Sequence, residues 1–371
     1  MGVFSSLVNL VYTILLTPSV ILFYAVWIAS SLFRPLLVAT ILCCAANPAA
    51  AKKKIALFVT TFKFLALSKD KKWKKPKEDP ASFFKDGDDD KDVETKTVIF
   101  LRHGESTWND TFNKGDRSTG AFLKGFIPGL IRSFGTEWYF FISGQCDESW
   151  FFDAPLSNKG ISQAQGLAKF LKDTDPAFST PKEAPFLKLL KGETDEKCQL
   201  MSSNLRRAIS TIAIGLGQRL NKKPEDKIMI LTELQEVSFN PDALSIHPAK
   251  APLVTSWMDS ERTKEIYREQ CDTSKNMGNK PLESNGLMRL ESFSKLIFDD
   301  VDAPNVVATG HSYWFRAFFQ TYLPSDFDHV AKKKKLINGG CAGFTFKRKK
   351  VGNEYKYMIE PKSIQVLYGG F

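Results

Sequence analysis

VIFLRHGESTWN, residues 98–109, is the stretch of this 371-residue chain that decides its fold. Its four apolar residues, 98–101, are typical of a buried strand, and Arg102, His103 and Gly104 follow that strand directly. Ligands of open α/β sheets collect at the carboxyl ends of the strands. An arginine there offers a planar clamp for a dianion, and a histidine offers a nucleophile that titrates near neutral pH. Gly104 is expected to let the chain turn sharply and approach a phosphate group.

Strand-like and helix-like segments alternate along the rest of the chain. Strands are predicted at 97–101, 199–202, 228–231 and 305–309, and helices near 159–172, 204–219, 285–299 and 313–323. This alternation predicts an α/β fold, a three-layer sandwich with a mostly parallel central sheet flanked by helices. Residues 343–349 and 355–367 are expected to form a final hairpin at the sheet edge.

Three further motifs follow the first in sequence order. Residues 153–164 are DAPLSNKGISQA, residues 202–211 are SSNLRRAIST, and residues 306–312 are VVATGHS. Together with the first stretch, these motifs resemble the signature of the histidine phosphatase superfamily, which includes the phosphoglycerate mutases. Four motifs in the family's order are far more specific than an isolated Arg-His-Gly.

The resemblance implies a role for each of several residues. His103 would be the nucleophile that accepts the phosphoryl group, and His311, in its protonated form, would be the second catalytic histidine. Arg102 and Arg207 would bind the phosphate, while Arg206 would be an outward-facing neighbour. The other candidates for phosphate binding are Ser106, Asn109 and Ser312.

The general acid of the family follows a Leu-x pair, and residues 231–236, LTELQE, contain two such carboxylates. Glu233 and Glu236 both fit this pattern, and the Leu-Gln-Glu context favours Glu236. The resemblance implies hydrolysis of a phosphomonoester through a phosphohistidine, without a metal or another cofactor. No acidic metal cage is visible in the sequence, and the four histidines do not have the spacing of metal ligands.

Two other functions fit parts of the sequence. Phosphoglycerate mutases resemble each other in a Glu-Arg-His-Tyr-Gly stretch at the acid, whereas Val-Ser-Phe-Asn-Pro follows Glu236 here, which favours a phosphatase. A non-catalytic membrane scaffold that kept the fold is disfavoured by the complete set of Arg102, His103, Arg207 and His311. The expected substrate is a phosphorylated small molecule or a phosphoprotein.

The N-terminal segment is typical of a membrane anchor. Residues 2–33 contain no charged side chain and exceed the roughly 20 residues that cross a bilayer core. We expect residues 1–51 to form apolar helices that anchor the chain, as one span, two spans or a hairpin. The absence of a positive region before the apolar run argues against a cleaved signal peptide.

A basic and then acidic linker is predicted at residues 52–96. Residues 52–79 hold ten Lys against three Asp or Glu, which favours contact with anionic membrane lipid and places the domain at residues 97–371 on the cytosolic side. Because this segment carries most of the net charge of +10, the basic composition does not indicate nucleic-acid binding. An insertion at about 110–152, rich in aromatic residues, is interpreted as a substrate lid, a membrane-touching flap or an accessory helix.

Overall fold

The central sheet can be traced in a computed structural model, which describes residues 31, 34, 35, 37–84, 92–115, 117–145 and 147–371. The strands in this part of the chain are β1 Val93–Arg102, β2 Cys198–Ser203, β3 Ile228–Leu231, β4 Cys271–Asp272, β5 Asn305–Gly310, β6 Cys341–Val351, β7 Glu354–Ile359 and β8 Gln365–Tyr368. They form one sheet in the order β4-β3-β2-β5-β1-β6-β7, with β8 beside β6. The strands from β4 to β1 in this order are parallel, whereas β6 pairs antiparallel with β1, β7 and β8.

Helices cover the sheet and connect its strands. The helices with both ends in the described ranges are α1 Pro48–Leu67, α2 Thr107–Phe112, α3 Thr119–Ile142, α4 Asn158–Asp173, α5 Ala184–Lys191, α6 Arg206–Gly215, α7 Gly217–Lys222, α8 Glu261–Glu269, α9 Gly286–Asp299, α10 Ser312–Tyr322 and α11 Val330–Lys333. An α/β fold with a central sheet flanked by helices is the fold class that the sequence predicts.

The predicted final hairpin differs in one respect. The structure divides the second predicted strand, 355–367, into β7 and β8 at Pro361–Ser363. A proline has no backbone N–H to give to a strand ladder, so pairing is interrupted there. As a result β7 pairs with residues 346–351 of β6, and β8 pairs with residues 341–343 of the same strand. The sheet is therefore more mixed than predicted.

Side chains of β1 alternate between two hydrophobic cores, one on each face of the sheet. Val98 and Phe100 are fully buried with α9 and α10, where the Phe100 ring stacks at 4.2 Å on that of Phe315. Ile99 and Leu101 are equally buried in the other core, with residues of α4, α5 and α6. This alternation is what strand geometry requires, and it produces the three layers.

The predicted membrane anchor lies mostly outside the described residues, which include nothing before residue 31. Helix α1 continues through the predicted boundary between anchor and linker at residue 51. Likewise β1 begins at Val93, inside the predicted linker. No helix in the described part of the chain has the length and apolar character that crossing a membrane requires.

The chain divides into two compact units, residues 1–55 with 137–146 and residues 56–136 with 147–371. In the smaller unit, Lys54 Nζ lies 2.5 Å from Glu137 Oε1. The larger unit contains the whole sheet and every candidate site residue.

The predicted insertion at about 110–152 contains the whole of α3, which packs on α2. Arg132 of α3 forms an ion pair with Asp110 of α2. The ring of Phe126 lies 6.4 Å from that of Phe112. These contacts attach α3 to α2, and the accessory helix, the substrate lid and the membrane-touching flap all stay predictions for the insertion. One face of α3 nevertheless leaves large apolar side chains exposed, namely Leu123, Ile127 and Ile131.

Candidate active site

The turn after β1 is built by close approaches between the sequence motifs. The amide of Gly104 donates to Thr211 Oγ1 at 3.0 Å. A Cβ at Gly104 would lie 2.4 Å from the carbonyl oxygen of Gly160 in α4, so only glycine fits here. The amide of Glu105 donates to Gln163 Oε1 at 2.8 Å. The need for Gly104 therefore comes from the neighbouring helix rather than from the predicted sharp turn.

His103 is buried, and its two ring nitrogens have different partners. Nδ1 lies 2.5 Å from the carbonyl oxygen of Gly104, which can only accept, so Nδ1 carries the hydrogen. Nε2 accepts from Arg207 Nε at 3.3 Å. The two contacts assign the same tautomer, with the lone pair on Nε2. Burial, reinforced by Arg207 and Arg102, lowers the pKa of His103 well below 6.5, so the ring is neutral at pH 7.

The two predicted arginines are anchored by the backbone near His103. Arg207 is almost fully buried at the start of α6, and its Nη1 donates to the carbonyl oxygen of Asp242 at 2.5 Å. Arg207 Nη2 also lies 3.5 Å from Asp242 Oδ2. Arg102 Nη1 donates to the carbonyl oxygen of Leu336 at 2.6 Å. Guanidinium groups held in this way are ready-placed donors for phosphate oxygens.

His311 lies at the end of β5, with its ring 4.9 Å from that of His103. Its Nε2 is 2.9 Å from Ser203 Oγ, whereas its buried Nδ1 has no hydrogen-bond partner among the described residues. Burial and then Arg207 lower the pKa of His311 well below 6.5. His311 is therefore neutral in the protein by itself, in contrast to the predicted protonated form. A phosphate dianion beside the ring would favour protonation.

The carboxyl group of Glu236 lies at the N-terminus of α10. Its Oε1 accepts from the amides of Val237 and Trp314, each at 3.0 Å. Its Oε2 lies 3.4 Å from the amide of Tyr313. Burial raises the pKa of Glu236, and the nearby Arg207 opposes this rise. A carboxyl group that holds its proton toward higher pH, close to an arginine that is predicted to bind phosphate, suits a general acid.

Glu233, the alternative acid, has different surroundings. Burial also raises the pKa of Glu233, but the charges that oppose the rise are Arg289 and Lys275 instead of Arg207. The Glu233 backbone oxygen accepts from Trp314 Nε1 at 2.8 Å. The proximity of Arg207 therefore favours Glu236, and the assignment stays a prediction.

The remaining candidate ligands border the same region. Ser106 Oγ caps α2 by accepting from the amide of Asn109 at 3.2 Å. Asn109 Oδ1 accepts from Asn113 Nδ2 at 2.6 Å. Ser312 is the first residue of α10 and follows His311 directly. In the ranges that the structure describes, no hydrogen bond joins these candidates to His103, so their contact with phosphate stays a prediction.

Arg206 is completely buried, which contradicts the predicted outward-facing position. Its Nε donates to the carbonyl oxygen of Asp153 at 3.0 Å, and its Nη1 lies 2.8 Å from Glu148 Oε2. The Asp153 carboxylate in turn accepts from the amides of Arg206 and Ile246, at 2.9 and 3.1 Å. Arg206 and Asp153 therefore tie the second motif to the third. The sequence alone does not show that Arg206 and Arg207, although adjacent, each have a buried partner.

Three residues that touch the site were missed in the sequence. The sequence contains a signal for Thr211, because this residue follows Arg207 by one helical turn. Its hydroxyl group donates to the carbonyl oxygen of Arg207 at 2.7 Å. Ser203 lies in the third motif, but its contact with His311 depends on the sheet order. Asp242 belongs to a segment without any motif.

Within the described residues no group of three His, Cys, Asp or Glu side chains is placed to hold a metal ion. Independence of metal stays a prediction.

Comparisons with known proteins find solved structures that resemble this chain with low TM-scores and low sequence identity. Neither the protein-family comparison nor the comparison with curated proteins finds a match to this chain. A mycobacterial glucosyl-3-phosphoglycerate phosphatase in complex with VO3 is similar at a TM-score of 0.35 and 14% identity, over 74% of this chain and 100% of that chain. An ecdysone phosphate phosphatase from Bombix mori in complex with tungstate is similar at a TM-score of 0.33 and 13% identity, over 72% and 93%. These values are too low to carry a functional argument.

Proposed function

We propose that this chain is a metal-independent phosphomonoesterase of the histidine phosphatase superfamily, with His103 as the nucleophile. The observation that carries the proposal is the pair of contacts that place the lone pair of His103 on Nε2, beside Arg207. A neutral imidazole close to the charges of two arginines suits attack on a phosphate group. The ring supplies the electron pair, and the guanidinium groups stabilise charge on the phosphate oxygens.

In the first step, Nε2 of His103 attacks phosphorus while the bond from phosphorus to the ester oxygen breaks. Arg102, Arg207 and His311 donate to the non-bridging oxygens, on which transition-state charge is spread. Glu236, whose pKa is raised by burial, gives its proton to the leaving oxygen. The products of this step are a phosphohistidine and an alcohol.

In the second step, a water molecule takes the place of the alcohol. The Glu236 carboxylate accepts a proton from the water as the water oxygen attacks phosphorus and the bond from phosphorus to Nε2 breaks. Inorganic phosphate leaves, and His103 and Glu236 return to their starting forms. One carboxyl group therefore serves as acid and then as base.

Hydrolysis of p-nitrophenyl phosphate by the full chain tests this proposal. We expect turnover that persists in EDTA. No turnover would favour the alternative of a non-catalytic membrane scaffold, and turnover that EDTA abolishes and Mg²⁺ restores would contradict metal independence. Incubation with 3-phosphoglycerate, with and without the bisphosphate, addresses phosphoglycerate mutase-type transfer. Isomerisation that depends on the bisphosphate would establish the mutase.

We further propose that the enzyme works at a membrane surface, anchored by residues 1–51, with its catalytic domain facing the cytosol. The charge-free residues 2–33 and the lysines that follow them support this location. Helix α3 adds an apolar face toward solvent, because Leu123, Ile127 and Ile131 succeed one another at one-turn spacing and are 64%, 59% and 69% exposed. Membrane lipid is the proposed partner of this face.

Carbonate extraction and protease protection of microsomes that carry the full chain test the location. We expect the protein to stay in the membrane pellet and its catalytic domain to be digested by added protease. Release into the carbonate supernatant would contradict the anchor. A protected catalytic domain would contradict the cytosolic orientation.

A further inference from the structure

The segment before β1 is docked on the catalytic domain through one buried carboxylate. Asp70 is 0% exposed. Its Oδ2 lies 2.7 Å from Lys280 Nζ, and its Oδ1 lies 2.5 Å from Arg289 Nη2. The amide of Ser238 also donates to Oδ2, at 2.8 Å. A single anion from the predicted linker therefore forms ion pairs with two buried cations of the catalytic domain.

Those two cations hold the loop that carries Glu236. Lys280 Nζ donates to the backbone oxygen of Glu236 at 2.6 Å and to that of Ser238. Arg289 Nη1 donates to the backbone oxygen of Gln235 at 2.5 Å. Lys280 and Arg289, which both form ion pairs with Asp70, therefore hold the backbone oxygen of Glu236 and backbone oxygens on either side of it.

Other contacts keep the same segment in place. The amide of Gly286, at the start of α9, donates to the backbone oxygen of Asp70 at 3.0 Å. The amide of Lys69 donates to the backbone oxygen of Leu282 at 2.9 Å. The Trp73 ring covers Gly286 so closely that a Cβ there would lie 3.0 Å from it. Residues 68–73 are therefore packed against the catalytic domain and do not behave as a solvated linker.

We propose that Asp70 is a positioning residue for the general acid, so that the segment before β1 is part of the catalytic unit. This inference rests on the proposed function, in which Glu236 is the acid. Without the Asp70 carboxylate, Lys280 and Arg289 would be two like charges in a buried site, and such groups must move apart or gain water. Either response shifts the backbone oxygens that they hold, and with them the Glu236 carboxyl group.

The test compares two substrates in the full chain carrying Asp70→Asn. Phenyl phosphate has a poor leaving group that needs a proton, whereas p-nitrophenyl phosphate needs little protonation. We expect kcat for phenyl phosphate to fall about tenfold more than kcat for p-nitrophenyl phosphate, with KM little changed, since misplacing an acid affects proton transfer first. Glu78→Gln is the matched control, because Glu78 lies on the same segment but is exposed, 3.4 Å from Lys356.

An equal loss with both substrates would overturn the inference and leave Asp70 a purely structural role. If Asp70→Asn does not fold, the double variant Asp70→Asn, Lys280→Met also removes one cation, so that this buried group of residues has the same net charge as in the wild type. We expect this folded variant to show the same selective loss, because Glu236 and Ser238 lose their common donor. Hydrolysis of phenyl phosphate at the wild-type rate by either variant would overturn the inference. A wild-type chain that hydrolyses neither substrate would instead contradict the proposed function.

Discussion

The two ends of the candidate site are held in different ways. At the end that contains the proposed nucleophile, here called the nucleophile end, motif residues contact one another: His103 touches Arg207, and Gly104 touches Thr211. At the acid end, Glu236 belongs to a loop held by Lys280 and Arg289, which no motif contains. Sequence motifs therefore identify the first end almost completely, whereas the support of the second end becomes visible only in three dimensions.

The largest expected effect lies at the nucleophile end. His103→Ala should lower turnover of every phosphate ester by about 10³-fold or more, because the lone pair that forms the covalent bond is lost. Steady-state kinetics with p-nitrophenyl phosphate measure it. His329→Ala, which changes a partly buried histidine at the start of α11, is the control. Turnover within about tenfold of wild type in His103→Ala would place the nucleophile elsewhere.

A change at the acid end should depend on the leaving group. Glu236→Gln is expected to lower phenyl phosphate hydrolysis by about 10²-fold or more and to affect p-nitrophenyl phosphate less. Glu233→Gln is the matched control, since Glu233 is a partly buried glutamate of the same segment whose pKa is also raised by burial, with Arg289 and Lys275 opposing the rise instead of Arg207. If Glu233→Gln shows the leaving-group dependence instead, the two roles must be exchanged.

The pH dependence should separate the two ends. Burial raises the pKa of Glu236 above 4.5, so the acid is protonated below the raised pKa and hydrolysis of phenyl phosphate falls as the pH rises through it. The pKa of His103 is lowered, so the nucleophile stays neutral until the pH is well below 6.5. We expect the alkaline fall to be absent in Glu236→Gln. An unchanged alkaline fall in that variant would assign it to another group.

The smallest expected effect concerns the hydrogen bond between Thr211 and the turn that follows His103. Thr211→Val keeps the shape of the side chain but leaves the buried amide of Gly104 without its acceptor, which costs about 1–3 kcal/mol of unfolding free energy. Denaturant unfolding measures this loss. Thr321→Val is the matched control, because Thr321 is equally buried and its Oγ1 has no hydrogen-bond partner in the described part of the chain. Equal losses in both variants would show that the Thr211 contact contributes nothing specific.

The sheet was predictable where apolar runs are continuous. The apolar runs in β1, β3 and β5 are mostly buried, and parallel strands of this kind have a strong apolar signal. In contrast, β4 has only two residues, Cys271–Asp272, and its pairing with β3 cannot be inferred from so short a segment. Helix α1 is not predicted beyond residue 51, because lysines 52–54 are interpreted as the start of a basic linker.

The site was predictable where the chemistry and the contacts share a motif. Arg102, His103, Arg207 and His311 lie at strand ends or helix starts that parallel strands bring to one edge of the sheet. Asp70 could not be predicted as their neighbour, since it is one acidic residue among many lysines. Its burial depends on two cations more than 200 residues away in the sequence.

The central claim is that His103 carries the phosphoryl group, and rapid quenching with a labelled phosphomonoester tests it most directly. Denaturation at alkaline pH followed by peptide mapping should recover an acid-labile phosphohistidine at residue 103 of the wild-type chain. The Glu236→Gln variant should form it when p-nitrophenyl phosphate is the donor. His103→Ala should retain no label. Label retained in His103→Ala, or bound stably to acid at another residue, would contradict the account.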